Sequence, residues 1–356
     1  MLAPLSIPSP PYDWQGIVIP FGKWLHGIIP AIPETQELTI RAYAIAILIG
    51  IVAAVVLTQT RLTRRGAERG IVIDIAIWAV PFGIVGARIF HVLTHPDDYF
   101  GAGKDLIKVL YIWEGGIAIF GALIGGLIGS IIACRILGLR LSAWADALAP
   151  GLLLAQAFGR LGNYFNHELF GQPTDAWWGL EIEASNQAYP AGLPAGTLFH
   201  PTFLYEIVWN LLGVAVILLV ERQWRLQKKT ILGITLPVPV GGRVRLQWGK
   251  LIAVYLIWYG LGRTVWETIR IDPSEILFGI RTNVWFALLA IALGVFILVV
   301  QSRRHYGLEP GPYLPGRTPS AVVDSAETYS DVEEPGDVAK AKSEKLPATS
   351  GKGKKS

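Results

Sequence analysis

The stretch GRLGNYFNHELFG, Gly159 to Gly171, gathers Arg160, Asn163, Asn166, His167 and Glu168 among three glycines. Arginine offers a planar fork of donors that fits a phosphate diester, and asparagine can hold hydroxyls without adding charge. The plainer alternative is an Arg160 that only snorkels to a membrane surface. A second stretch, YGLGRTVWETIR, sets Tyr259, Arg263 and Glu267 four residues apart on one helical face. Arg263 could meet a phosphate while Glu267 fixes its rotamer, or the pair could serve helix packing alone. In HPTFLYE, His200 to Glu206, a proline at a helix start brings His200, Tyr205 and Glu206 together. Imidazoles titrate near neutrality, so His200 is a candidate base, or equally a residue that orients a loop. His91 and His95 also share a helical face, but no third ligand follows at suitable spacing, so no metal site is expected. In WEGGIAIFGALIGGLIGS, Gly121, Gly125 and Gly129 recur every four residues, the spacing that lets helix backbones approach closely.

These groups need a scaffold, and the composition says which kind. Only 16% of the 356 residues are charged, 52% are hydrophobic and the mean hydropathy is +0.44. Soluble domains carry about 25% charged residues. An integral membrane protein is expected, and disordered, collagen-like and disulfide-framework classes are excluded. The single cysteine, Cys134, cannot form an internal bridge. Apolar runs long enough to cross a bilayer extend over Ile40 to Leu57, Ile71 to Leu93, Gly115 to Ala133, Ala143 to Gly162, Thr202 to Val220, Leu251 to Arg270 and Asn283 to Val300. The fold class expected is therefore an all-α bundle of about seven transmembrane helices. Trp14 to Ile32, cut by three prolines with the adjacent Pro33, reads as a re-entrant or interfacial segment. Met1 to Pro10 has no signal-peptide pattern, so the first crossing is expected to act as the targeting signal.

Basic residues set the orientation, because Lys and Arg resist export. One alternating set of connections holds fifteen of them and the other only Lys23, Lys104, Lys108 and Arg281. The N-terminus is thus expected outside and the C-terminus in the cytoplasm. The stretch 163–201, with no Lys or Arg, becomes a small external head. Domain boundaries follow: an external or interfacial segment over 1–39, a seven-helix catalytic domain over 40–300 including the head, and a disordered cytoplasmic tail over 301–356. In this frame Arg41, Arg88, Glu114, Arg160, Glu206, Arg263 and Glu267 gather near the outer ends of their crossings, while Asp74 and Asp146 lie toward the cytoplasmic side. Ionisable groups at one membrane level suit a lipid head-group site better than a pore. A lipid carrier and a non-catalytic precursor receptor are the alternatives in other functional classes.

Taken together, these stretches resemble the prolipoprotein diacylglyceryl transferase family over about Tyr43 to Val300. The signature matches G-R-x-G-N, an aromatic, N-x-E and a closing glycine, and the blocks W-E-G-G, H-P-x-x-L-Y-E and Y-G-x-x-R-x-x-x-E stand in the family order. The resemblance implies transfer of diacylglyceryl from phosphatidylglycerol to the lipobox cysteine thiol of a prolipoprotein, releasing glycerol phosphate. It also implies a phosphate-binding role for Arg160 and an essential one for Arg263. Asn163, Glu168, Gly171, Glu267, Asp146 and Tyr43 match further family positions. Asn166, His91, His95 and Tyr205 are added as candidate substrate contacts, and His200 as a candidate catalytic group. The implied partners are phosphatidylglycerol, lipobox signal peptides and the bilayer of the bacterial plasma (inner) membrane, with no nucleic acid and no cofactor.

Two departures from the family pattern bear on the chemistry. Many members carry a histidine, considered a catalytic base, where this chain has Phe120 in GGIAIFGA. Two tyrosines of the second span are here His91 and His95. The thiol proton is therefore left to His91, His95, His200 or Glu168, with no choice among them.

Overall fold

The structure is a computed structural model and describes residues 6–11, 16–29, 33–101, 103–231, 234–244, 246–305 and 308–317, with the backbone alone over 222–231 and 234–244. In chain order its elements are β1 (Gly16–Ile19), α1 (Phe21–Leu25), β2 (Leu38–Arg41), α2 (Ala42–Arg64), α3 (Ile71–Thr94), α4 (Ile119–Ile136) and α5 (Leu141–Phe165). Then come β3 (Leu180–Glu181), β4 (Leu198–Phe199), α6 (Thr202–Glu221), β5 (Arg222–Ile231), β6 (Ile234–Val244), α7 (Lys250–Ile269), β7 (Ile276–Leu277), β8 (Ile280–Arg281) and α8 (Thr282–Arg304). Each of the seven apolar runs becomes a helix. Six of these, all but α7, are long and apolar enough to cross a membrane. The expected start of the third run at Gly115 is corrected to Ile119. Arg88 donates to the carbonyls of Gly115 and Gly116, which ties that stretch to α3 before α4 can begin.

The helices pack as α2 on α5, α3 on α4 and α7 on α8, with α5 also against α6 and α7. The glycine spacing in α4 does what it predicts. Gly121, Gly125 and Gly129 are all buried, and a Cβ at Gly129 would lie 2.6 Å from the Trp78 carbonyl oxygen of α3. Only a bare backbone fits that crossing.

The fold is mostly helical, as expected of an all-α membrane protein, and among the described residues four two-stranded antiparallel sheets form at the connections. The described part of the segment before the first long helix is the β1–β2 pair with the one-turn α1 between, and Trp24 and Ile28 are exposed. Its prolines forbid a continuous helix. The basic connection after α6 is the β5–β6 hairpin. The head builds its own core from Phe170, Leu180, Ile182 and Phe199, and Ile7 adds a parallel bridge to Leu180.

Residues 308–314, expected in a disordered tail, instead close over the turns between α2 and α3 and between α4 and α5. Glu309 pairs with Arg65 at 2.6 Å and accepts from Ser142. Tyr313 is buried beside Leu62, Ile71, Leu139 and Trp144, and the Arg140 amide donates to the Pro312 carbonyl. The Pro and Gly content that reads as disorder hides two anchors, one aromatic and one ionic. The rest of the expected tail, from 318 on, lies outside the described residues.

Asp146 is also reassigned. It is fully buried, and its carboxylate accepts from the backbone amides of Gly249, Leu251 and Ile252 at 2.8 to 3.2 Å. It thus caps the N-terminus of α7, where unpaired amides and the helix dipole favour a carboxylate. Fourteen residues along α5 separate it from Arg160, roughly 21 Å at the helical rise, so it is no part of the Arg160 site. Asp146→Ala is expected to lower stability by about 2 kcal/mol or more, since a cap is lost and buried amides are left unpaired. Thermal denaturation in detergent should show the drop, while the head-end chemistry at low temperature stays close to wild type.

Candidate active site

The last turn of α5 carries the signature out of the bundle and sets its polar groups locally. Arg160 Nη1 donates to Asn163 Oδ1 at 3.2 Å, and Asn163 and Asn166 both donate to Glu168 Oε1, at 2.8 and 3.2 Å. The anchor of Arg160 comes from α6. Its Nε lies 2.7 Å from Glu206 Oε2, and Glu206 is only 6% exposed. Arg160 Nη2 has no hydrogen-bond partner among the described residues. Tyr43, on the first turn of α2, packs on Gly162 beside this group.

Arg263 sits on α7 and pairs with Glu267 at 2.9 Å, the i,i+4 contact its spacing suggests. Glu267 is fully buried and does more than hold Arg263. Arg281 Nε lies 3.0 Å from Glu267 Oε1, and Asn283 Nδ2 donates to the same oxygen at 2.9 Å. The β7–β8 hairpin folds Arg281 back onto the end of α7, where it also donates to the carbonyls of Arg270 and Asp272. Arg270 makes a forked pair with Asp272, at 2.6 and 2.9 Å. Partial burial works against a charged Asp272, yet the bonds and charge of Arg270, with Arg281, hold its carboxyl below the usual range.

The two groups meet. Arg263 feels the positive charges of both Arg160 and Arg270, and Arg270 feels Glu206. Gly171 joins them through the backbone, donating its amide to the His200 carbonyl and bridging Arg270, while Gln172 donates to Ile269. A Cβ at Gly171 would lie 2.8 Å from both His200 Cβ and Ile269 Cγ2. A side chain there would push the signature loop off α6 and α7.

The remaining candidates are arranged around this centre. His200 Nδ1 is 3.1 Å from the Tyr205 hydroxyl, which accepts from Trp178. His167 turns toward the head, with Nδ1 2.8 Å from Glu183. His91 and His95 stack at 4.4 Å on the end of α3, where His91 lies against Gly116. Phe120 packs on Phe286 at 4.0 Å and on Phe90 at 6.1 Å, an aromatic wall between α3, α4 and α8. The structure thus gathers Arg160, Asn163, Asn166, Glu168, Gly171, Tyr43, His200, Tyr205, Arg263 and Glu267 at one end of the bundle. It sets Asp146 apart, and it links His91 and His95 to Arg88 and the Gly115–Gly116 turn.

Arg270, Asp272, Arg281 and Asn283 are not among the residues that sequence reasoning selects for the site, and Glu206, which it places with His200 and Tyr205 at the outer end of its crossing, has no partner assigned there. Arg270 stands inside a quoted stretch, so an unpaired-charge argument could have found it. Asp272, Arg281 and Asn283 carry no such signal, because a hairpin brings them back.

The family model described as prolipoprotein diacylglyceryl transferase matches residues 30–300. Among curated relatives, a phosphatidylglycerol–prolipoprotein diacylglyceryl transferase of Leifsonia xyli is 54% identical over 333 residues, covering 91% of this chain and 90% of the relative. One from Mycobacteroides abscessus is 40% identical, over 90% of this chain and 85% of its own length. The phosphatidylglycerol–prolipoprotein diacylglyceryl transferase 2 of Streptomyces coelicolor is 43% identical, over 76% of this chain and 78% of its own length.

Proposed function

The chain belongs to the prolipoprotein diacylglyceryl transferase family, and from that membership we propose that it transfers diacylglyceryl from phosphatidylglycerol to a prolipoprotein, the first step of lipoprotein maturation. It is a multi-pass membrane transferase. The acceptor in this reading is the lipobox cysteine thiol. Its sulfur attacks the diacylglycerol carbon that bears the phosphate, a C–S bond forms, that carbon's C–O bond breaks, and glycerol phosphate departs with the bonding pair. The thiol proton goes to a base.

The observation that carries the reading is the setting of Arg160. Glu206 and Asn163 occupy Nε and Nη1, which fixes the guanidinium plane and leaves Nη2 for a phosphate oxygen. Arg263, fixed by Glu267 from one side, supplies a second positive group to the same departing charge. Donors held in place before the reaction are commonly the largest catalytic term in a dry site. Positive charge nearby also raises the thiolate fraction of the acceptor. Asn163, Asn166 and Tyr43 would hold the glycerol end of the lipid, with Gly171 and Tyr205 shaping the same end. Glu168, His200, His91 and His95 are the groups that could receive the proton. Phe120 offers no basic atom.

Seven crossings, with the N-terminus outside and the C-terminus in the cytoplasm of the bacterial plasma membrane, complete the proposal. The less apolar α7 is the seventh, and its contacts with α5, α6 and α8 support a central place in the bundle. The external head is 163–201, within a catalytic domain over 40–300.

The test is incubation of the purified protein with phosphatidylglycerol and a lipobox peptide. A diacylglyceryl mass gain on the peptide with matching release of glycerol phosphate is the expected result. Folded protein that binds both substrates and yields neither product would overturn it.

A further inference from the structure

We propose that the groove between α2, α5 and α6, at the end of the bundle opposite Arg160, is a second lipid site that takes an anionic phospholipid. The groove is a cavity of about 940 Å³, at the upper end of the range of ~300–1,000 Å³ typical of ligand sites. Its walls are apolar. Leu48, Val52 and Val56 stand four residues apart on one face of α2, each more than half exposed, and Leu154 of α5 and Leu218 of α6 face them. It runs toward Arg61, Arg64 and Arg65 on the last turns of α2.

The three arginines differ in what they have left to offer. Arg61 is spent: it pairs with Glu221 at 2.5 Å and donates to the carbonyls of Asp146 and Ala147. That pair also neutralises Glu221, the only acidic residue lining the groove among the described residues. Arg65 gives Nη2 to Glu309, while its buried Nη1 has no hydrogen-bond partner among the described residues. Arg64 is exposed and has no ion pair or hydrogen bond among them. The mouth therefore carries the unmatched charge and free donors of Arg64, with the unsatisfied but buried Nη1 of the Glu309-paired Arg65 in the same lining, at the end of an apolar trough.

That combination selects the occupant. Acyl chains match the walls, and a phosphate without a compensating cation matches Arg64 and Arg65. A zwitterionic head group would bring its own positive charge to the same mouth. An extended peptide would leave backbone groups unpaired against walls made of closed helices. The site is also separate from the transfer chemistry. From Tyr43, beside the signature, to Arg64 is 21 residues of α2, roughly 32 Å, which is about the thickness of the hydrocarbon core. A lipid whose phosphate sits at Arg64 therefore belongs to the other leaflet from one at Arg160.

The test uses the full chain in phosphatidylcholine nanodiscs doped with phosphatidylglycerol carrying a photoactivatable acyl chain, or with phosphatidylcholine carrying the same chain. Cross-links are mapped by mass spectrometry, and transfer to a lipobox peptide is followed in the same samples. The anionic probe is expected to label Leu48 to Leu57 and Leu218 about fivefold more than the zwitterionic one, and Arg64→Gln to remove that excess. Val56→Trp, which fills the trough and keeps the charge, should cut labelling by both probes there. Both variants should leave transfer unchanged, and Arg160→Ala should leave groove labelling unchanged. Equal labelling by the two probes, or an excess that survives Arg64→Gln, would each overturn the proposal.

Discussion

Replacing Arg160 by lysine is expected to reduce diacylglyceryl transfer by about 100- to 1,000-fold, close to the effect of alanine, which is the cost of losing one preorganised donor to a developing charge, about 2.7–4 kcal/mol. Charge alone is conserved in this variant, but geometry is not. The guanidinium uses Nε for Glu206 and Nη1 for Asn163, at 2.7 and 3.2 Å, and keeps a third direction for the ligand. An ammonium is a single point that would be drawn to the buried Glu206 and away from the lipid. Initial rates at saturating phosphatidylglycerol, with the melting curve as a control for folding, provide the measurement. A lysine variant within tenfold of wild type would show that the site needs only a positive charge.

Glu267→Ala is expected to be the most damaging change for stability and activity together. Its carboxylate is fully buried and serves Arg263, Arg281 and Asn283 at 2.9 to 3.0 Å. Removing it leaves two guanidiniums without their shared counter-charge, and breaking a buried pair costs about 3–5 kcal/mol. Glu267→Gln keeps the shape and one acceptor oxygen, so it should fold better than alanine while still freeing Arg263 from a fixed rotamer. The readouts are the fraction of monodisperse protein after heating and the transfer rate of the glutamine variant. If both variants melt like wild type, Glu267 does not organise the two arginines.

The lack of a histidine at position 120 changes where a base can stand. Phe120 is enclosed by Phe90 and Phe286, so no titratable group occupies that wall. His200 stands next to Gly171 and within reach of the Tyr205 hydroxyl. Glu168 lies within the signature and accepts from the side-chain amides of Asn163 and Asn166. His91 and His95 lie on the Arg88 side of the bundle end.

What the sequence determined by itself was local or periodic. Apolar runs gave seven helices to within four residues at every end but one, α2 running on to Arg64 past the expected Leu57, because burial of backbone polar groups in lipid leaves a run of that length little choice but a helix. The Gly121, Gly125 and Gly129 seam was legible for the same reason, since side-chain spacing on one helix is fixed by its pitch. Arg263 with Glu267 was legible because the partner lies one turn along the same helix. Tertiary structure alone decided the rest. Arg160 owes its orientation to Glu206, 46 residues later, and Glu267 owes two of its three partners to a hairpin that returns Arg281 and Asn283. Asp146, whose position matched the family's site, turned out to cap α7 more than 100 residues away. Glu309 and Tyr313 lay in a stretch whose composition reads as disorder, yet they close the opposite end of the bundle. A charge in a sequence has no partner until the chain folds, and burial makes the nearest available counter-charge decisive, whatever its distance along the chain.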